Sequence, residues 1–192
     1  VAVKDLFDVA GWPTTGASRF YENTVATKDA PLITRLLDAG ALGIIAPHVG
    51  SAEEARQVVA ACKFAPEGER SAAGNWPHVG YRPREPKALR AAFNAATTVV
   101  VMLESPEAIE RAEEIAAVPG VDILHIGTVD QCDALGRPAE YSHPQVMACH
   151  ERVIRACQRH GKVAGAQDVM GVNFRHACMT DAHIGDLQQF VM

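Results

Sequence analysis

Two acidic residues follow apolar, β-branched runs. Glu104 comes after Thr98-Val-Val-Val-Met-Leu103, and Asp130 closes Val121-Asp-Ile-Leu-His-Ile-Gly-Thr-Val-Asp130. If both runs are parallel strands, both acids stand just past C-terminal strand ends, where α/β folds place their chemistry. Two carboxylates brought there from different strands can hold a hard divalent cation, which prefers oxygen ligands and keeps several waters. The same position also suits an acid that caps the following helix, and position alone leaves both roles open. Gly127-Thr128-Val129-Asp130 is more telling, because a glycine just after a strand lets backbone N–H groups approach a bound anion.

His48 also follows an apolar run, in Pro47-His48. Its imidazole suits a general base or a group that positions a ligand, and equally a hydrogen-bonded interior histidine. Arg70 lies in Pro66-Glu-Gly-Glu-Arg70, on a polar segment with Trp76, His78, Tyr81 and Arg82. A guanidinium there can clamp a carboxylate in bidentate fashion, or tie the loop down. His125 falls inside a strand run and reads as structural. His143, His150 and His160 read as surface or packing residues of one helix and its approach.

Helices and strands must alternate to position these groups. Asp29 caps a helix with Leu32, Ile33, Leu36 and Leu37 on one face, and Gly40 sits where such helices stop. Ala41–Ala46 is a short apolar run between Gly40 and Pro47 and reads as a strand buried on both faces. Ser51 to Glu54 is a capping box, followed by Ala55, Val58, Val59 and Cys62 at helical spacing. The segment 63–86 is rich in Gly, Pro and polar residues and predicts a long loop. Thr97–Leu103 predicts a strand. Ser105 and Pro106 then open a helix with Ile109, Ala112, Ile115 and Ala116 inward. Val121–Ile126 predicts a third strand. After a loop through Pro138, Ser142 opens a helix with Val146, Cys149, Val153, Ile154 and Cys157 on one face, closed by Gly161. Residues 162–166 predict a further strand, and the pattern weakens from Gln167 onward.

Such alternation implies parallel strands joined by βαβ crossovers. No GxGxxG and no Walker loop occurs, so a TIM-type (β/α)8 barrel is preferred over a nucleotide-binding doubly wound sheet. The 192 residues read as one domain, 1–192. Only five or six strand candidates are visible, so the barrel reads as short or incomplete at its N-terminus.

Composition narrows the partners. Eighteen basic against 23 acidic residues give a net charge of −5, which argues against nucleic acid or an anionic membrane as the main partner. No apolar stretch approaches the roughly 18–20 residues of a transmembrane helix. Lys4, Asp5 and Asp8 in the first ten residues do not fit a secretory signal. Five cysteines, an odd count without CxxC, fit no zinc pattern and point to a reducing cytoplasmic setting.

The ordered motifs resemble the HpcH/HpaI aldolase and citrate lyase family, whose members are metal-dependent pyruvate aldolases built on a barrel. The matching segments are Leu36–Val49, Ala65–Arg70, Met102–Ala108, Val118–Asp130, Leu135-Gly136 and His143-Pro144, within about residues 28–165. The resemblance implies that Glu104 and Asp130 bind a divalent metal ion, Mg or Mn. It also implies that the backbone of Gly127, Thr128, Val129 and Asp130 receives the carboxylate of a small 2-oxo acid. A pyruvate-type enolate would then add to an aldehyde, or the reverse would occur. A homo-trimer or hexamer is implied too. Arg70 and His48 are further candidates for shaping the pocket.

The chain departs from the family in places. The family's acidic-Glu-His motif is absent before Asp29, and Thr24 stands near the position of its substrate-binding arginine, with Arg19 out of register. Met102 stands where a glutamine is usual, and Gly185-Asp186-Leu187 resembles the last-strand motif only faintly. A second reading is therefore a degenerate, non-catalytic member that binds metal or keto acid, or serves as an assembly subunit.

Overall fold

The structure, a computed structural model, describes residues 31–72 and 76–166. The expectations for Arg19, Thr24, Asp29 and Gly185-Asp186-Leu187 lie outside the described residues.

Four strands form one sheet: β1 (Gly43–Ala46), β2 (Thr98–Leu103), β3 (Ile123–Ile126) and β4 (Val163–Ala166). They pair in chain order and all pairs are parallel. Parallel neighbours need crossovers, and helices supply them. Helix α1 (Pro31–Asp38) precedes β1, and α2 (Ala52–Cys62) and α3 (Pro86–Ala96) lie between β1 and β2. Helices α4 (Pro106–Glu110) and α5 (Ala112–Ala116) connect β2 to β3, and α6 (Thr128–Ala134) and α7 (Pro144–His160) connect β3 to β4. Adjacent parallel strands in sequential order, with helices after β1, β2 and β3, are the wall of the expected α/β barrel class.

Side chains alternate across this wall. Ile44, Val99, Val101, Leu103, Leu124 and Ile126 are buried in one cluster with Ile109, Ile115, Val153 and Cys157 from the helices. Each such side chain contributes about 1.5–3 kcal/mol by leaving water. The intervening residues, among them Val100, Met102, Ile123 and His125, lie outside that cluster and face the opposite way. The sheet therefore has a helix-covered face and an inner face.

Helix starts follow the predicted chemistry. The Ser51 hydroxyl accepts from the Glu54 amide, and the Glu54 carboxylate reaches back to the Gly50 N–H at 2.7 Å. Ser105 caps α4 through the Ala108 amide, with Pro106 at the first position. Helix α7 is capped by the His143 imidazole, which accepts from Gln145 N–H, and not by Ser142. The single helix expected from Ser105 is broken at Arg111, whose backbone leaves helical geometry. Two helices had no sequence signal strong enough to predict them. Helix α3 buries only Phe93 and Asn94, and α6 is one seven-residue segment with no side-chain cap.

A second cluster closes the N-terminal ends of the strands. Phe64, Trp76 and Phe93 pack edge to face and stacked, with ring centroids 5.2–6.2 Å apart. The buried Lys63 ammonium donates to the carbonyls of Asn94 and Thr97, just before β2. The long segment after α2 is thus tied beneath the sheet, with a short 3₁₀ turn at Pro77–Val79.

Candidate metal and substrate site

The register of β2 and β3 brings the two acids together. Leu103 pairs with Ile126, so the next residues, Glu104 and Gly127, are neighbours at the C-terminal edge of the sheet. A Cβ on Gly127 would lie 2.4 Å from Glu104 Cγ and 3.0 Å from Oε1. The glycine is required here because the Glu104 side chain crosses directly over it. Gly127 has a negative φ and its own N–H donates to the Leu103 carbonyl at 3.0 Å. That bond extends the ladder one residue past β3. The first-turn amides after it, from Thr128 to Asp130, have no partners within the helix by helical geometry.

Asp130 stands in the first turn of α6, close enough to Glu104 for the two carboxyls to act on one another. His48 approaches Glu104 from the loop after β1. Its backbone N–H donates to Glu104 Oε2 at 2.7 Å, and its Nδ1 lies 2.8 Å from the same oxygen. To do so His48 takes a left-handed φ of +55°, a conformation non-glycine residues rarely adopt. The loop is held in register by Val49 N–H, which donates to the Met102 carbonyl.

These contacts push the two carboxyls apart. Burial raises the Glu104 pKa, but the hydrogen bonds and charge of His48, with help from Asp130, outweigh it and leave the group below its ordinary value. Asp130 is raised, first by burial and then by the charge of Glu104. Glu104 is thus the ionised partner and Asp130 the one that holds a proton more readily. A pair of carboxylates that compete for one proton is a pair that a divalent cation can neutralise. Among the described residues no cluster of three or more His, Cys, Asp or Glu is arranged to hold a metal ion. Two carboxylates with waters and substrate completing the shell is a donor set that fits a hard cation such as Mg²⁺.

A family model for "HpcH/HpaI aldolase/citrate lyase" matches residues 23–183. The chain belongs to the HpcH/HpaI family. It is 42% identical over 134 residues to the 4-hydroxy-4-methyl-2-oxoglutarate aldolase tasA of Hapsidospora irregularis, covering 69% of this chain and 50% of that relative. It is 36% identical over 151 residues to a hydroxypyruvate/pyruvate aldolase of Paraburkholderia phytofirmans, covering 76% of this chain and 57% of the relative. The crystal structure of an HpcH/HpaI aldolase from Desulfitobacterium hafniense DCB-2 superposes with a TM-score of 0.69 at 28% identity, over 92% of this chain and 66% of that one. The chain spans about half the length of the curated relatives it matches.

Other predicted residues fall elsewhere in this HpcH/HpaI chain. Arg70 is not brought to the carboxylate pair. Its guanidinium lies 2.6 Å from Asp38 Oδ1 and 4.5 Å above the Phe64 ring, at the N-terminal ends of the strands. The opposite end of the sheet carries Glu104, so the clamp role is corrected to a structural tie. His160 pairs with Glu113 on the surface. His150 is buried in the face of α7, and burial pushes its pKa down to about 4. His125 lies within β3, as the sequence predicts, and on its inner face, the one polar side chain of that strand.

Proposed function

We propose that this chain carries the divalent-metal and 2-oxo-acid half of a carbon–carbon lyase site, acting through a pyruvate-type enolate. The observation that supports it is the Glu104–Asp130 pair, brought together at neighbouring strand ends by the register of β2 and β3 and the first turn of α6. The aldolases named among the relatives point to the same substrate class.

Glu104 and Asp130 would hold the cation, Mg or Mn. When bound, the ion supplies Lewis acidity that polarises the 2-oxo group and stabilises the enolate charge. His48 is a positioning residue: two contacts to one oxygen of Glu104 hold that carboxylate in place and ionised. Gly127 leaves room for the Glu104 side chain. The amides of Thr128, Val129 and Asp130 at the start of α6 would take the substrate carboxylate, a negative charge at the positive end of the peptide dipoles. Assembly as a trimer or hexamer and a cytoplasmic setting belong to the same reading. The resemblance to the family supports the first, and the odd cysteine count without a CxxC supports the second.

Exchange of the pyruvate methyl protons in heavy water, followed by NMR, tests the reaction class. Magnesium-dependent exchange that a chelator stops is expected. A folded protein that binds magnesium and pyruvate yet catalyses no exchange would refute the enolate step. Gly127→Ala tests the geometry separately. The new methyl group forces Glu104 aside, so cation affinity should fall by about tenfold or more, about 1.4 kcal/mol. Calorimetric titration with Mg²⁺, with circular dichroism as the folding control, reads it. Unchanged affinity would show that Glu104 does not act from this position.

A further inference from the structure

His125 points away from the helix-covered core. Leu124 and Ile126 on either side are buried among helix residues, so the alternation of the strand places Ile123 and His125 on the inner face. Its register partners are Met102 on β2 and Gly165 on β4. Glu104 is two residues beyond Met102 and therefore shares that face, one pleat repeat of about 6–7 Å nearer the strand ends. Gly165 makes space for the imidazole, since a Cβ there would lie 2.9 Å from His125 Nδ1. No described residue hydrogen-bonds the ring, and Glu104 is the charged group that acts on it. Burial lowers the pKa of the ring while the Glu104 charge opposes that shift, so the imidazole is neutral near neutral pH. A neutral imidazole offers one donor and one acceptor. That pairing suits a hydroxyl group, which itself donates and accepts.

We propose that His125 is a substrate-contacting residue on the inner wall, hydrogen-bonding a hydroxyl substituent of the 2-oxo acid held at the Glu104–Asp130 pair. This rests on the reading that the pair holds cation and substrate. It adds a determinant of specificity: acids with a polar substituent gain a partner that an apolar side chain at this position would deny them. A site built to hydrogen-bond a hydroxyl discriminates against the analogue that lacks it.

Pyruvate and hydroxypyruvate differ by one hydroxyl and serve as probes. Their affinities in the presence of Mg²⁺ are measured by calorimetry for the wild-type chain, His125→Phe and His125→Gln. The expected result is a loss of about tenfold for hydroxypyruvate in His125→Phe, with pyruvate and Mg²⁺ affinities within about twofold of wild type. His125→Gln, which keeps a donor and an acceptor, should recover part of the loss. In the wild type with Mg²⁺ already bound, the His125 ring resonances should move further on addition of hydroxypyruvate than on addition of pyruvate, which is readable even if the Phe variant does not fold. Intact Mg²⁺ and pyruvate binding with no selective loss in the variants, or with ring resonances that move no further for hydroxypyruvate than for pyruvate, overturns the role of His125. A folded wild-type chain that binds neither Mg²⁺ nor pyruvate overturns the parent reading and this one together.

Discussion

Glu104→Gln is expected to lower Mg²⁺ affinity by about a hundredfold or more while the chain stays folded. The glutamine keeps the shape that crosses Gly127, and its amide oxygen can still accept the His48 N–H. What it loses is the formal charge of the group that is ionised most readily. A hard cation held by two carboxylates and waters then retains one, and outer-shell changes alone already cost metal sites about 10–100-fold. Asp130→Asn should fall in the same range. Its proton-holding tendency arises from burial and the neighbouring Glu104 charge, so the wild-type cation displaces a proton on binding and affinity should rise with pH across the raised Asp130 titration. Mn²⁺ titration by electron paramagnetic resonance and calorimetry with Mg²⁺ check both variants. Unchanged affinity in both would remove the metal site.

Asp38→Ala is expected to destabilise the fold by about 3–5 kcal/mol, the range for leaving one partner of a buried ion pair behind. The Arg70 side chain is only 3% exposed, and its Nε has no hydrogen-bond partner among the described residues. Asp38 Oδ1 also accepts from the Trp76 indole at 3.1 Å. The substitution therefore strands a guanidinium and an indole N–H beneath the aromatic cluster. At about 2–4 °C per kcal/mol for a domain of this size, the melting temperature should drop by roughly 10 °C. Mg²⁺ affinity of the folded protein should not change, because the pair lies at the far end of the strands from Glu104. Unchanged stability with weakened 2-oxo-acid binding would restore the carboxylate-clamp role for Arg70.

The contrast between these two sites shows where sequence patterns carry information. Glu104 and Asp130 are legible because a β-branched run followed by an acid is a local signal, and parallel strands present such acids on one edge. The four strands and the caps at Ser51 and Ser105 are legible for the same reason. Hydrophobic period and capping chemistry act over a few residues. Helices α3 and α6 escaped because Ala-rich or seven-residue segments with few buried positions carry little periodic signal.

The partner of Arg70 and the facing of His125 were not legible for a different reason. A guanidinium in a polar loop is the same residue whether it meets a ligand or Asp38, and the choice depends on a contact 32 residues away. A histidine within a strand reads alike on either face. Only the pairing with Met102 and Gly165, and the burial of Leu124 and Ile126, place it under Glu104. Gly127 makes the same point at closer range. Its strand-end position was evident from the chain, but its reason is a side chain from the neighbouring strand. Residue type and spacing settle which elements form and which groups can do chemistry. Which groups meet depends on register and facing, because those are set by packing between segments far apart in the chain.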